Sequence, residues 1–285
     1  MEKEIEMEKD RDAHVAAPSG ESQGTDPAPV VNTVGTASPM PQDPAAEASA
    51  ASGQNGQGPK ADELYDREMV PEFTSRLRHN LVRMPKAIYS ASGIIINGRR
   101  IKSLIFTTDI AIIRNCDADA VLAVYPFTPQ PTISGAIIRS SYIPVFCGVG
   151  GGTTKGLRTV GLAKDVESQG AMGVVLNAPI SNLNLRSVAL SVDIPVIVTV
   201  TKASTDIDAR LRAGASIINV AGGANTIEIV KKIRKENKKV PIIATGGKTE
   251  ESIAATIAAG ANAISFTPPY TKELFSATME KYREP

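Results

Sequence analysis

Residues 244–251 read ATGGKTEE, two glycines between an apolar run and a stretch of helical character. In that position Gly246 and Gly247 let backbone N–H groups approach an anion closely, and the helix N-terminus behind them adds its positive dipole end. The chemistry implied is capture of a phosphate, with Thr245 and Lys248 beside it. Gly222-Gly223 repeats the two-glycine pattern, and Ser265 and Thr267 supply hydroxyls after a later apolar run. Asp109, in TTDIAI, is a candidate acid/base, and Lys202 is its candidate electrostatic or proton-transfer partner. Lys155, in GVGGGTTKG at 148–156, and Asn177 complete the set of substrate-binding candidates. GGKT at 246–249 is no Walker loop, because Ile242 stands where the leading glycine is required.

Elimination narrows the chemistry. The two histidines, His14 and His79, precede all of these segments, so imidazole acid/base catalysis is not expected. Asp109 and Cys147 alone cannot fill a Zn²⁺ shell, and no metal site is expected. A Mg²⁺ ion held by Asp109 and a substrate phosphate stays open. With no histidine nearby, Cys147 reads as a small buried hydrophobe.

These residues need a scaffold, and an internal repeat shows which one. Residues 194–220 and 240–266 align without a gap over 27 positions, with Pro195/Pro241, Thr199/Thr245, Lys202/Lys248 and Gly214/Gly260 in register. Each copy runs strand, helix, strand, and stacked units of that kind form parallel sheets. Short apolar runs at 103–108, 120–125, 143–148, 173–177, 194–200, 216–221, 240–245 and 262–266 are the eight expected strands. Helical stretches separate them, the last at about 271–282. Eight βα units predict a closed (β/α)₈ TIM barrel. The rival, an open doubly wound sheet, lacks its dinucleotide motif after the first strand. In a barrel the polar residues after each strand share the functional face, whereas Asp117, Asp119 and Asp193, which precede strands, stabilise the opposite end.

Residues 1–61 are expected to be a disordered low-complexity tail. The first 60 hold no aromatic residue, and ten acids stand against four bases. Its opening, MEKEIEMEKDRD, has neither the basic nor the apolar region of a signal peptide. The barrel domain is expected over 62–285, with an N-terminal cap over 62–100 and eight βα units over 101–285. Within the cap, Phe73, Leu77 and Leu81 mark a helix over 71–84, and Asn97-Gly98 marks a β-hairpin of the primed-turn type. A net charge of +1 gives no support to nucleic-acid binding. No apolar run reaches the length needed to span a membrane. Two cysteines make no disulfide framework, which points to the cytoplasm. Assembly as a homo-oligomer is left open.

Over 103–283 in architecture, and at 240–267 in its residues, the chain resembles the phosphate-binding barrels of the ribulose-phosphate-binding superfamily. Thiamine-phosphate synthases and keto-deoxy-phosphogluconate aldolases belong to that group. The resemblance implies that Gly246 and Gly247 grip a phosphate together with the loop after the eighth strand. That second loop departs from the pattern, since Phe266-Thr267-Pro268-Pro269 includes two residues without an N–H donor. No single member matches: the sixth strand, SIINV, carries no Schiff-base lysine, and Thr201-Lys202 replaces the second aspartate of the histidine-pathway isomerases. The function expected is proton transfer on a small phosphorylated metabolite, as an isomerase, epimerase or lyase that requires no cofactor. One alternative is an FMN-dependent oxidoreductase, because the same cradle accommodates the FMN phosphate. The other is a catalytically silent barrel serving as a ligand sensor or scaffold.

Overall fold

In the computed structural model, the described residues are Phe73 and 81–283. The sequence expectations for the tail, and for most of the 71–84 helix, lie outside them. The part of that stretch that is described, 81–84, is extended: Val82 forms a parallel bridge with Cys116. Among the described residues the cap holds a 3₁₀ turn at Lys86–Ser90 that buries Ile88 completely. Glu250 holds this turn in place, its carboxylate accepting from the N–H groups of Lys86 and Ala87 at 2.9 and 2.6 Å.

The hairpin forms as expected. Strands β1 (Ile94–Ile96) and β2 (Arg99–Ile101) pair antiparallel around Asn97 and Gly98, at φ 49° and 76°. Both central residues must adopt positive φ in this turn, which is why Asn-Gly occupies it. Ile94, Ile96 and Ile101 are buried in the same cluster as the side chains that fill the barrel, so the hairpin plugs one end.

Strands β3 (Ser103–Phe106), β4 (Ala120–Ala123), β5 (Val145–Gly150), β6 (Gly173–Leu176), β7 (Val196–Val200), β8 (Ile217–Val220), β9 (Ile242–Thr245) and β10 (Ala263–Phe266) close into a parallel barrel, β10 pairing β3. Helices follow them in turn: α1 (Ile110–Ile113), α2 (Pro131–Ser140), α3 (Leu157–Ser168), α4 (Asn182–Ala189), α5 (Ile207–Arg212), α6 (Thr226–Glu236), α7 (Glu250–Ala258) and α8 (Thr271–Arg283). The expected (β/α)₈ class is the one observed. Strand side chains alternate between two packed shells, as a sheet buried on both faces requires. Leu104, Leu122, Phe146, Val175, Ile197, Ile217, Ile243 and Ala263 fill the inside. Ile105, Val121, Val174, Val198, Ile218, Ile242 and Ile264 meet the helices. Cys147 belongs to this second shell, so it packs under helices rather than opening on the mouth.

At the plugged end Asp119 and Asp117 behave as read. Asp119 Oδ2 accepts from the Lys102 and Ser103 N–H groups and from the Ser103 hydroxyl, tying the hairpin to β3. Asp117 accepts from Met84 N–H at 2.7 Å and faces Arg83 at 3.6 Å. No helix among the described residues is long and apolar enough to cross a membrane.

Candidate functional site

The inward alternation continues one step beyond the filled layer and sets the mouth. On three adjacent staves, β3 to β5, the next inward positions are Phe106, Val124 and Gly148, all without a polar side chain. On the remaining five staves, β6 to β10, they are Asn177, Thr199, Asn219, Thr245 and Ser265. The mouth is therefore divided into an apolar arc and an uncharged polar arc.

Within the polar arc a hydrogen-bonded ladder crosses three strands. The Thr199 hydroxyl donates to Asn177 Oδ1 at 3.3 Å, and Asn219 Nδ2 donates to Thr199 Oγ1 at 3.1 Å. Because the Thr199 proton is committed to Asn177, its oxygen can only accept from Asn219. With Nδ2 of the Asn219 amide turned towards Thr199, its Oδ1 has no partner. Asn219 is 6% exposed, and its Oδ1 is the buried side-chain polar atom lacking a hydrogen bond among the described residues. An unmet buried acceptor of this kind costs about 1–3 kcal/mol.

Against the apolar arc lies a cavity of about 570 Å³, walled by Phe106, the β4–α2 loop from Val124 to Pro129, the turn Gly150–Thr154, and Asn177. Asn177 thus belongs to both halves of the site. The loop carries Pro126 and Pro129, and Pro131 opens α2 behind it. Prolines fix φ, so the loop holds its shape. Tyr125 Oη accepts from Gln130 N–H at 2.9 Å, which leaves its own proton available to the cavity.

The glycine-rich segment 148–156 is tied down by hydrogen bonds along its length. Gly151 and Thr154 bridge each other, Gly152 N–H donates to Pro179 O at 3.0 Å, and Thr159 Oγ1 donates to Thr154 O at 3.0 Å. Asn184 closes the segment by accepting from Gly156 N–H at 2.9 Å. Gly151 must be glycine, because a Cβ there would lie 2.1 Å from Asn177 O. Lys155 points away from the 570 Å³ cavity and lines a separate groove of about 270 Å³ between α3 and α4.

The β9–α7 turn, where the sequence places the phosphate grip, is occupied by the protein's own groups. Thr249 and Ser252 form a reciprocal capping box. The Glu251 carboxyl is held below its ordinary value by its own backbone N–H and by the Thr249 hydroxyl. Gly246 is small for packing reasons, since a Cβ would meet Ile264 and Ile253 at 2.7 and 2.9 Å. With two acids in its first turn, α7 presents little positive potential to an added anion. Lys248 and Thr267 are exposed beside it, and Pro268 is buried.

The β8–α6 turn differs. Its N-cap, Asn225, makes no side-chain capping bond, and a Cβ on Gly223 would meet nothing within 4 Å. Gly222 N–H donates to Thr226 Oγ1, and a Cβ on Gly222 would strike Ile229. Lys202 is exposed in the neighbouring β7–α5 loop, which Lys232 Nζ anchors to α6 by donating to Ala203 O at 2.6 Å. Asp109 is spent elsewhere. Its Oδ1 accepts from Ala111 and Ile112 N–H as the N-cap of α1, and its Oδ2 accepts from the Thr271 hydroxyl of α8. Both oxygens of that carboxylate accept hydrogen bonds, and no group of three His, Cys, Asp or Glu converges among the described residues. Burial pushes the Cys147 thiol up to about 12, which excludes a thiolate at neutral pH.

The residues that sequence reasoning missed are those of the apolar wall. Phe127 and its flanking prolines carried the signal, as a rigid YPFTPQP segment following a strand.

Solved structures with the same architecture include a phosphonomutase candidate from Burkholderia cenocepacia J2315. It is 14% identical, the match covers 63% of this chain and 92% of that one, and the TM-score is 0.51. Phosphonopyruvate hydrolase in complex with oxalate and Mg²⁺ matches at 14% identity, 66% and 82% coverage and a TM-score of 0.52. No family model matches the chain, and no curated protein does. At such identity the likeness establishes the TIM barrel, and the site must speak for the function.

Proposed function

We propose that the mouth binds a small phosphorylated metabolite, with Lys202 and the open Gly222–Gly223 turn facing the phosphate and the Asn177–Thr199–Asn219 ladder facing the body of the molecule. The observation that carries this reading is the unpartnered Asn219 Oδ1, a buried acceptor set to take an O–H or N–H from a ligand. It lies three residues before Gly222, so a ligand donor there brings the rest of the molecule towards the α6 N-terminus. Lys202 is the exposed base of the neighbouring β7–α5 loop, and the reading makes it the proton-transfer residue of an isomerase, epimerase or lyase. Thr245 and Ser265 continue the uncharged surface, and Gly246, Gly247, Lys248 and Thr267 form its outer rim.

A second reading, a ligand sensor without turnover, is favoured by one observation. The carboxylate of Asp109 and the Tyr125 oxygen are committed to holding helix α1 and the β4–α2 loop. One experiment separates the readings. The purified protein is screened by thermal shift against phosphate esters, FMN and their dephosphorylated parents, and any stabilising ester is then incubated in D₂O and examined by mass spectrometry. Deuterium incorporation that Lys202→Met abolishes, with the ester still bound, supports proton transfer. Stabilisation without exchange supports the sensor. Equal response to esters and parents removes the phosphate from the proposal.

A further inference from the structure

The β3–β5 side of the mouth is a cavity of ligand size whose walls match one class of chemistry. Phe106, Tyr125 and Phe127 converge on it, three of the twelve aromatic side chains in the chain. Phe127 is 72% exposed and Phe106 36%. A single exposed phenyl needs no explanation. Two that line one concave surface together with a tyrosine, on a loop fixed by prolines, form a preorganised aromatic wall. Aliphatic residues, glycines and threonines complete the lining, and no acidic or basic side chain lines the cavity. Its polar groups are all neutral: the free proton of Tyr125, whose oxygen is held by Gln130, the amide of Asn177, and the hydroxyls of Thr128, Thr153 and Thr154.

We infer that this cavity takes a planar, uncharged nitrogen heterocycle, its face against Phe127 and Phe106 and its edge towards Tyr125 and Asn177. Flat faces favour offset or edge-to-face packing on phenyl rings, and an uncharged ring leaves no unpaired charge among neutral walls. Asn177 is shared with the polar ladder, so the heterocycle and the donor that reaches Asn219 belong to one molecule. The inference deepens the phosphorylated-metabolite reading by naming the other end of the substrate. It is tested without phosphate, so the two can fail separately.

The experiment is saturation-transfer NMR on the full chain with adenosine, uridine and lumichrome as ring probes and methyl riboside as the ringless control. The expected result is saturation of ring protons in at least one ring probe, none in methyl riboside, and loss of the signal in Phe127→Ala. Stacking of one base on an aromatic side chain predicts a Kd about tenfold or more higher in that variant. Because Phe127 is largely exposed, the variant is expected to keep its melting temperature, and Phe127→Tyr should restore binding. No transfer to any ring probe overturns the inference. Transfer that persists unchanged in Phe127→Ala places the ring elsewhere and overturns it too. Ring binding with no added effect of a phosphate ester would leave the heterocycle site standing and sink the phosphate reading alone.

Discussion

Asn219→Leu is expected to make the protein more stable and worse at binding, a combination that a purely structural asparagine would not give. Leucine keeps the branching at Cγ, and the position for its bulkier methyl groups lies one step beyond the layer that fills the barrel. The substitution removes an unmet acceptor worth about 1–3 kcal/mol and gives up the 3.1 Å bond to Thr199, worth about 0.5–1.5 kcal/mol net. The balance is a gain of about 1 kcal/mol, or a rise in Tm of roughly 2–4 °C for a domain of this size. A wild-type ligand present at about 100 times its Kd adds about 2.7 kcal/mol. If its donor loses Asn219 Oδ1 at a cost of about 2 kcal/mol, Kd rises about thirtyfold. The same ligand concentration then adds only about 0.9 kcal/mol.

Two melting curves per protein, with and without the stabilising ester, measure both terms. A variant that melts lower without ligand would show that Asn219 Oδ1 is satisfied in the native protein. A variant that melts higher but responds fully to ligand would remove Asn219 from the binding site. Either result refutes the reasoning.

Other consequences are less intertwined. Asp109→Ala should lower stability by about 1 kcal/mol through loss of the α1 cap, whereas Asp109→Asn, which can still cap, should lower it less; urea midpoints measure both. Unchanged turnover in the Asn variant would confirm a structural carboxylate. Arg234 donates to Gly260 O, Val240 O and Asn262 Oδ1, so Arg234→Met should cost about 2–3 kcal/mol in the same assay. In the native protein neither Cys116 nor Cys147 should react with a thiol reagent at pH 8, because burial raises both thiols; rapid labelling before unfolding would contradict this. The carboxyl of Glu251 is depressed in the folded state, so its contribution is present above its unfolded pKa of about 4.3 and is lost as pH falls through the folded value. Glu251→Gln should therefore flatten the acid side of the stability profile and leave its slope above pH 6 unchanged.

The barrel was legible because its strands are buried on both faces. Such strands must be continuous apolar runs, and each expected run overlaps an observed one. The hairpin was legible because Asn97-Gly98 admits few other conformations. The site was less so, for two physical reasons. Glycines after a strand serve close packing as well as anion binding, and only coordinates separate Gly246, pressed against Ile253 and Ile264, from the open Gly223. An acid before a helix reads alike as cap or base, and Asp109 proves to be fully engaged as a cap. The shape of 148–156 was not legible because its anchors, Pro179 and Asn184, come from the next βα unit.

The internal repeat also accounts for the uneven mouth. An offset of 46 residues carries Thr199 onto Thr245 and Asn219 onto Ser265, and in each copy the two residues lie side by side in register. Both copies therefore deliver a hydroxyl-bearing threonine and a second polar group to adjacent inward positions. In the copy at β7–β8 the second group is an amide, long enough to reach its neighbour and still expose an acceptor. In the copy at β9–β10 it is a short serine, and helix α7 after β9 is closed by its own Thr249–Ser252 capping box. Restoring the amide by Ser265→Asn would test whether that difference alone makes β7–β8 the binding half. A second ligand equivalent in isothermal titration would mean that it does. Unchanged stoichiometry would mean that the open Gly222–Gly223 turn, which Pro268-Pro269 replaces in the β9–β10 copy, is required as well.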